Sequence, residues 1–207
     1  MKKKDKSTEE AILQVARKAF TQKGLSGARM QDIADEAGIN KALVHYYFET
    51  KEKLFALIFE QEFGKFFSNL ALVISSEIPL FEKIEQMVKL DIERLSQFPD
   101  LPLFVLNEVS HNPARMVKRL KQMGVKDMLG SFQKQIDGEI KNGTIKSIRA
   151  EQLLINIQSL SIFPFIAKPM IKNVFQINEK DFQEMIEVRK KEVSLFIIDA
   201  LKINDKI

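Results

Sequence analysis

Lys41, Leu43, His45 and Tyr46 lie within six residues of one another, a mixture of side chains suited to touching a polar partner. At about 100° per helical residue, Val44 and Phe48 share one side, while Ala42 and Tyr46 point the opposite way, flanked by Leu43 and His45. A solvent face made of Leu, His and Tyr is odd for a plain surface helix and fits a contact surface. An imidazole and a phenol can hydrogen-bond base edges, and a leucine can pack against thymine methyls. Lys41 is within reach of bases or the nearby sugar-phosphate. Tyr47 and Lys51 are expected to hold backbone phosphates, Lys51 at the start of a following helix whose amides favour anions.

Other chemistries find little support. Cysteine is absent, which excludes disulfides, thiolate metal sites and cysteine nucleophiles together. With only two histidines, His45 and His111, a zinc or iron site would need carboxylates almost alone. His111 stands before Asn112 and Pro113, where it reads as a cap or a structural turn. Carboxylate pairs such as Asp35 with Glu36 read as solvated faces, and no nucleophile–base set or glycine-rich phosphate loop is visible. The expectation is no metal, no cofactor and no enzymatic activity.

The elements that must position the contact face are short. Met30, Ile33, Ala34 and Ala37 recur at helical spacing over about 29–37. Gly38 can then take a left-handed turn, and Asn40 offers a side-chain oxygen to cap a helix over 41–48. Upstream, Ser7 and Glu10 form a capping-box pattern. The helix after them buries Ile12, Val15, Ala16, Ala19 and Phe20 and ends at Lys23 and Gly24, with Leu25 closing the small core. Three helices of this kind make a helix-turn-helix unit whose last helix enters a major groove.

An ordered set of residues over 12–57 resembles the TetR/AcrR family of bacterial transcriptional regulators. It comprises Ala16, Phe20, Gly24, Asp32, Ile33, Ala34, Ala37, Gly38, Ile39, Lys41, Tyr47, Phe48, Lys51, Glu52, Lys53 and Leu54. The family usually has Thr or Ser-Thr where this chain has Ala28 and Arg29, so a capping, phosphate-touching hydroxyl is missing and Arg29 would supply a charge instead. The expected DNA-facing set is Arg29, Gln31, Asn40, Lys41, Ala42, Leu43, His45, Tyr46, Tyr47 and Lys51. The resemblance further implies a ligand cavity among the middle helices, with Phe59, Phe63, Phe66, Met87, Phe104 and Met128 as candidate lining. It also implies that the last two long helices form a four-helix bundle with a twofold partner.

Beyond the N-terminal unit, Lys51 opens a long helix to about residue 76 with a largely aromatic apolar stripe, and nothing before it reads as a flexible linker. Further helices are expected over about 79–97, where Ile84, Val88 and Ile92 are buried, then 101–111, 114–123 and 125–142. Two more follow, over 149–168 with a kink at Pro164 and over 179–202. The architecture is all-α with about nine or ten helices: a DNA-binding unit over 1–53 and a ligand-binding and dimerisation domain over 54–207. Residues 153–167 and 193–198 are apolar on every side, so they must be buried on every side. Leu153, Ile157, Leu160, Phe163, Val193, Phe196 and Ile197 are the candidate homodimer interface.

Composition agrees. At 45% apolar and 29% charged residues, 207 residues can bury a substantial core. No apolar run approaches the roughly 18–20 residues that span a bilayer, and the basic start at Lys2, Lys3 and Lys4 leads into no signal-peptide core. A cytoplasmic protein without a membrane partner is the simplest expectation. Residues 1–51 hold ten Lys/Arg against seven Asp/Glu, a bias suited to a polyanion. Taken together, these features point to a dimeric, sequence-specific DNA-binding regulator, a repressor released from a palindromic double-stranded operator by a small apolar or amphipathic effector. The alternative is an all-α homodimeric adaptor without sequence-specific DNA binding, which would explain the apolar helices but not the Leu43, His45 and Tyr46 face.

Overall fold

Two glycines and two side-chain caps shape the N-terminal unit. The computed structural model describes residues 6–203 apart from Asn112. Within that span the side chains of Thr21, Gln22, Phe66, Phe104, Asn107, Glu108, His111 and Arg115 are not described. The basic tail and the candidates Phe66, Phe104 and His111 therefore lie outside the described residues. Helix α1 (Lys6–Gly27) breaks at Gly24, where φ 66° and ψ −179° suit only glycine. A Cβ there would also stand 2.6 Å from Asp100 Oδ2. Because α1 begins at Lys6, Ser7 lies inside the helix rather than at its N-cap.

Helix α2 (Met30–Glu36) turns through Gly38, at φ 67°, into α3 (Lys41–Phe48). Asn40 Oδ1 accepts from the Ala42 amide at 2.8 Å, the cap expected of it. Only Glu49 and Thr50 separate α3 from the long α4 (Lys51–Ser75). The Thr50 amide donates to the Phe48 carbonyl at 2.7 Å across Glu49 at φ 60°, ψ −63°, a tight γ-turn. Thr50 Oγ1 then caps α4 by accepting from the Lys53 amide at 3.1 Å. Helix α3 is thus joined to α4 without slack.

The rest is α5 (Leu80–Gln97), α6 (Leu101–His111), α7 (Pro113–Gln122), α8 (Val125–Lys141), α9 (Ala150–Ile166), α10 (Lys168–Val174) and α11 (Glu179–Leu201). Among the described residues that makes eleven helices, with no β-structure beyond one isolated bridge between Ile145 and Lys202. No single described helix is long and apolar enough to cross a membrane. Helix α5 is central, packed against α4, α8, α9 and α11 through Ile84, Met87, Val88 and Ile92. The core is continuous across residue 53. Phe20 of α1 meets Phe55 edge-on at 5.0 Å, Phe55 lies 4.0 Å from Phe59, and Phe59 meets Phe98 at 6.4 Å.

Two expectations need correction. The kink expected at Pro164 falls instead at Ala167, where α9 and the unexpected α10 meet at 67°. Proline removes the amide that would donate to the Leu160 carbonyl, four residues earlier. That carbonyl accepts from Arg189 Nη2 of α11 at 2.8 Å instead, so the helix carries on through its last turn.

The second correction concerns the apolar helices α9 and α11. Leu153, Ile157, Val193 and Ile197 are buried in the chain's own core rather than on its surface. The outward face carries Ile155, Phe163, Leu195 and Phe196, with Leu160 half-buried at its edge. A helix apolar on all sides gives no phase by which to separate these two faces.

Candidate nucleic-acid interface

Helix α3 is held from behind by Val44, Tyr47 and Phe48, all buried. Leu43 and Tyr46 remain 37% and 50% exposed, large apolar surfaces left in water beside exposed Lys41, Ala42 and His45. His45 Nδ1 lies 2.8 Å from the Glu49 carbonyl, which can only accept, so Nδ1 carries the proton. In that tautomer Nε2 is the ring's remaining acceptor. Tyr47 is 9% exposed, and its ring meets that of Tyr46 edge-on at 5.6 Å.

Around α3, Arg29 is exposed at the N-cap of α2 and makes no side-chain cap. Gln31 Nε2 donates to Asp35 Oδ1 at 2.7 Å, and the Asn40 oxygen is committed to its cap. Lys51 Nζ donates to the Ala28 carbonyl at 3.2 Å, tying the start of α4 to the loop before α2. The unit's own acids are largely matched: Lys18 with Glu36 at 2.6 Å, Lys23 with Asp32 at 2.9 Å, and Lys53 with Glu49. The hydrogen bond from Lys23 holds the Asp32 carboxyl below its ordinary range. Lys41 makes no ion pair among the described residues.

Residues 12–58, which contain this unit, match the model for bacterial regulatory proteins of the tetR family. The N-terminal unit is thus of the tetR type, and the chain resembles TetR-family transcriptional regulators. It is 27% identical over 149 residues to the HTH-type transcriptional regulator RutR of Escherichia coli K12, covering 72% of this chain and 69% of that protein. Over 59 residues it is 37% identical to the HTH-type transcriptional repressor NicS of Pseudomonas putida, covering 28% of each chain. A crystal structure of a transcriptional regulator from Cytophaga hutchinsonii superposes with a TM-score of 0.60 at 22% identity, covering 94% of this chain and 98% of that one. The shared fold is therefore an N-terminal helix-turn-helix with a helical C-terminal region. These likenesses support a DNA-binding transcriptional regulator.

Helices α4, α5, α6 and α9 enclose a cavity of about 160 Å³. Of the expected lining residues whose side chains are described, only Phe63 reaches it; Phe59, Met87 and Met128 are buried but do not line it. Its wall is otherwise built from residues the sequence reading missed, including Leu95, Leu101, Val105 and Ile162. It also holds a carboxylate, Asp91, whose Oδ2 accepts from Gln158 Nε2 at 2.7 Å. Asp91 falls on the same stripe as Ile84, Val88 and Leu95, and a charge inside an apolar stripe was the available signal.

Beside the cavity lies a charged junction to the reading unit. Glu62 of α4 is 1% exposed, contacting Arg17 Nε of α1 at 2.9 Å, Lys65 Nζ at 3.3 Å and Arg94 of α5. Arg17 Nη2 also donates to Gln61 Oε1 at 3.0 Å, and the Arg94 guanidinium lies 4.2 Å above the Phe98 ring. Phe63 and Asp91 flank this junction in sequence, one residue from Glu62 and three from Arg94.

Proposed function

We propose that the protein is a homodimeric repressor that places one α3 helix from each subunit in successive major grooves of a palindromic operator. The observation that carries this reading is the exposed Leu43 and Tyr46 on a helix whose opposite side is fully anchored. Lys41, Leu43, His45 and Tyr46 contact base edges, with Ala42 allowing close approach. Arg29, Gln31 and Lys51 meet backbone phosphates, Lys51 turning from the Ala28 carbonyl. Asn40 and Tyr47 act through position, one capping α3 and the other bracing Tyr46.

Dimerisation is supported by the outward apolar face of α9 and α11, where Phe196 is 67% exposed. Two heads on a twofold axis read half-sites about one helical turn, ~34 Å, apart. A small effector in the α4–α5–α6–α9 cavity moves Phe63 and the neighbouring Glu62–Arg17–Arg94 junction, shifting α4 and changing the distance between the heads. Division of labour follows residue 53, with reading before it and sensing and pairing after it.

The test is fluorescence anisotropy with DNA from upstream of the protein's own gene, across a salt series. Sequence-specific binding with a steep salt dependence supports the reading. Equal affinity for operator and scrambled DNA would overturn it.

A further inference from the structure

The polar groups of the effector cavity offer mainly acceptors. Gln158 uses one of its two amide hydrogens on Asp91 Oδ2, and the Gln158 oxygen and Asp91 Oδ1 are acceptors. Asp91 Oδ1 is buried and has no hydrogen-bond partner. Arg94, nearly one helical turn on from Asp91, is committed to Glu62 and to the face of Phe98, and Lys89 is exposed to solvent. The walls are otherwise hydrocarbon, including Phe63, Leu95, Val105 and Ile162. An unpaired carboxylate among such walls is unfavourable when ionised, and a bound cation relieves it. Burial already pushes the Asp91 carboxyl up to about 7, the sign of a negative charge lacking a partner.

We propose that the effector is a compact primary amine on an aromatic or alicyclic body. Its ammonium donates to Asp91 Oδ1 and the Gln158 oxygen, while its ring fills the space between Phe63, Leu95 and Ile162. The volume sets the size: about 160 Å³ is comparable to the roughly 150 Å³ apolar cavity that accommodates benzene. An anionic ligand of the same shape meets a like charge in a dry site, and a neutral one leaves the carboxylate unpaired. This assignment rests on the ligand-responsive reading above, and names the chemistry of its ligand.

Titration calorimetry of the full-length protein with phenethylamine, phenethyl alcohol and phenylacetate at pH 8 tests it, followed by operator release with each. The amine is expected to bind at least tenfold more tightly than the other two. Asp91→Asn, which retains an acceptor for Gln158, is expected to abolish that preference, so that amine and alcohol bind within about threefold of each other. Gln158→Leu should weaken the amine selectively without removing the charge. Amine binding no tighter than alcohol binding, or a preference that survives Asp91→Asn, overturns the assignment. Release of the operator by phenylacetate or the alcohol alone also overturns it, yet leaves ligand-responsive regulation standing. Selective amine binding without release upholds the site and overturns the regulatory reading instead.

Discussion

Tyr46 exposes half of its surface while its neighbour Tyr47 is buried against the same unit, so the two tyrosines separate reading from folding. Removing the Tyr46 ring should relax discrimination at particular operator positions, by on the order of 1–3 kcal/mol each. Circular dichroism of Tyr46→Ala should show unchanged helix content. An unaltered operator preference would mean that this face does not read sequence. Asp91 supplies the second test at this scale. Burial raises its folded-state pKa to about 7 from an ordinary 3.8, opposed in part by donation from Gln158. The folded protein then holds a proton that the unfolded chain has released, so stability falls as pH rises from about 4 to about 7 and levels off above. Since one pKa unit corresponds to about 1.4 kcal/mol, the loss is of the order of a few kcal/mol. Urea titrations at pH 5 and pH 8 should show this decline in the parent and little of it in Asp91→Asn. A parent equally stable at both values would remove the argument from burial.

The helices show which kinds of information run along a chain and which cross it. Gly38, the Asn40 cap and the period of Val44 and Phe48 are all local, and α3 begins and ends where they indicate. The ends of α9 were not legible in the same way. Pro164 marks a broken ladder, but whether the helix stops depends on Arg189, twenty-nine residues from Leu160, reaching the orphaned carbonyl. A double-mutant cycle isolates this contact. Arg189→Ala alone should destabilise by about 1–3 kcal/mol, because an acceptor loses its donor. In a Pro164→Ala background, residue 164 regains an amide for Leu160, and the same substitution should have a much smaller effect. Equal effects in both backgrounds would show that Arg189 stabilises in some other way. Asp91 and Gln158 repeat the lesson: the stripe betrays the carboxylate, whereas its partner lies sixty-seven residues away.

For the whole molecule, the question is which apolar surface a second copy would cover. The sequence pattern of α9 and α11 contains enough hydrocarbon for two interfaces but no phase, and burial supplies it. Phe196 points outward at 67% exposure, whereas Ile197 is buried within the subunit. The substitutions Phe196→Glu and Ile197→Glu should therefore fail differently. The first is expected to give a folded monomer that loses operator binding although α3 is untouched, because a charge entering a dry interface is unfavourable by several kcal/mol. The second should impair folding of the subunit itself. Sedimentation velocity with circular dichroism distinguishes the outcomes; a Phe196→Glu protein that stays dimeric would place the interface elsewhere.

The stiff joint at Glu49 and Thr50 gives α4 a mechanical advantage. Its far end is clamped where Lys83 Nζ donates to the carbonyls of Ile74 and Ser76 at 2.6 and 2.8 Å and to Gln135 Oε1 at 2.6 Å. Taking that clamp as a fulcrum, Phe63 lies about 18 Å along the rod and Lys51 about 36 Å. A push of about 1 Å at Phe63 then becomes about 2 Å at the reading helix, with half the force. In a twofold pair the two displacements add to about 4 Å, comparable to the ~3.4 Å rise of one base pair. On the proposed reading, a single ring seated against Phe63 is thus enough to put two recognition helices out of step with their half-sites by roughly one base.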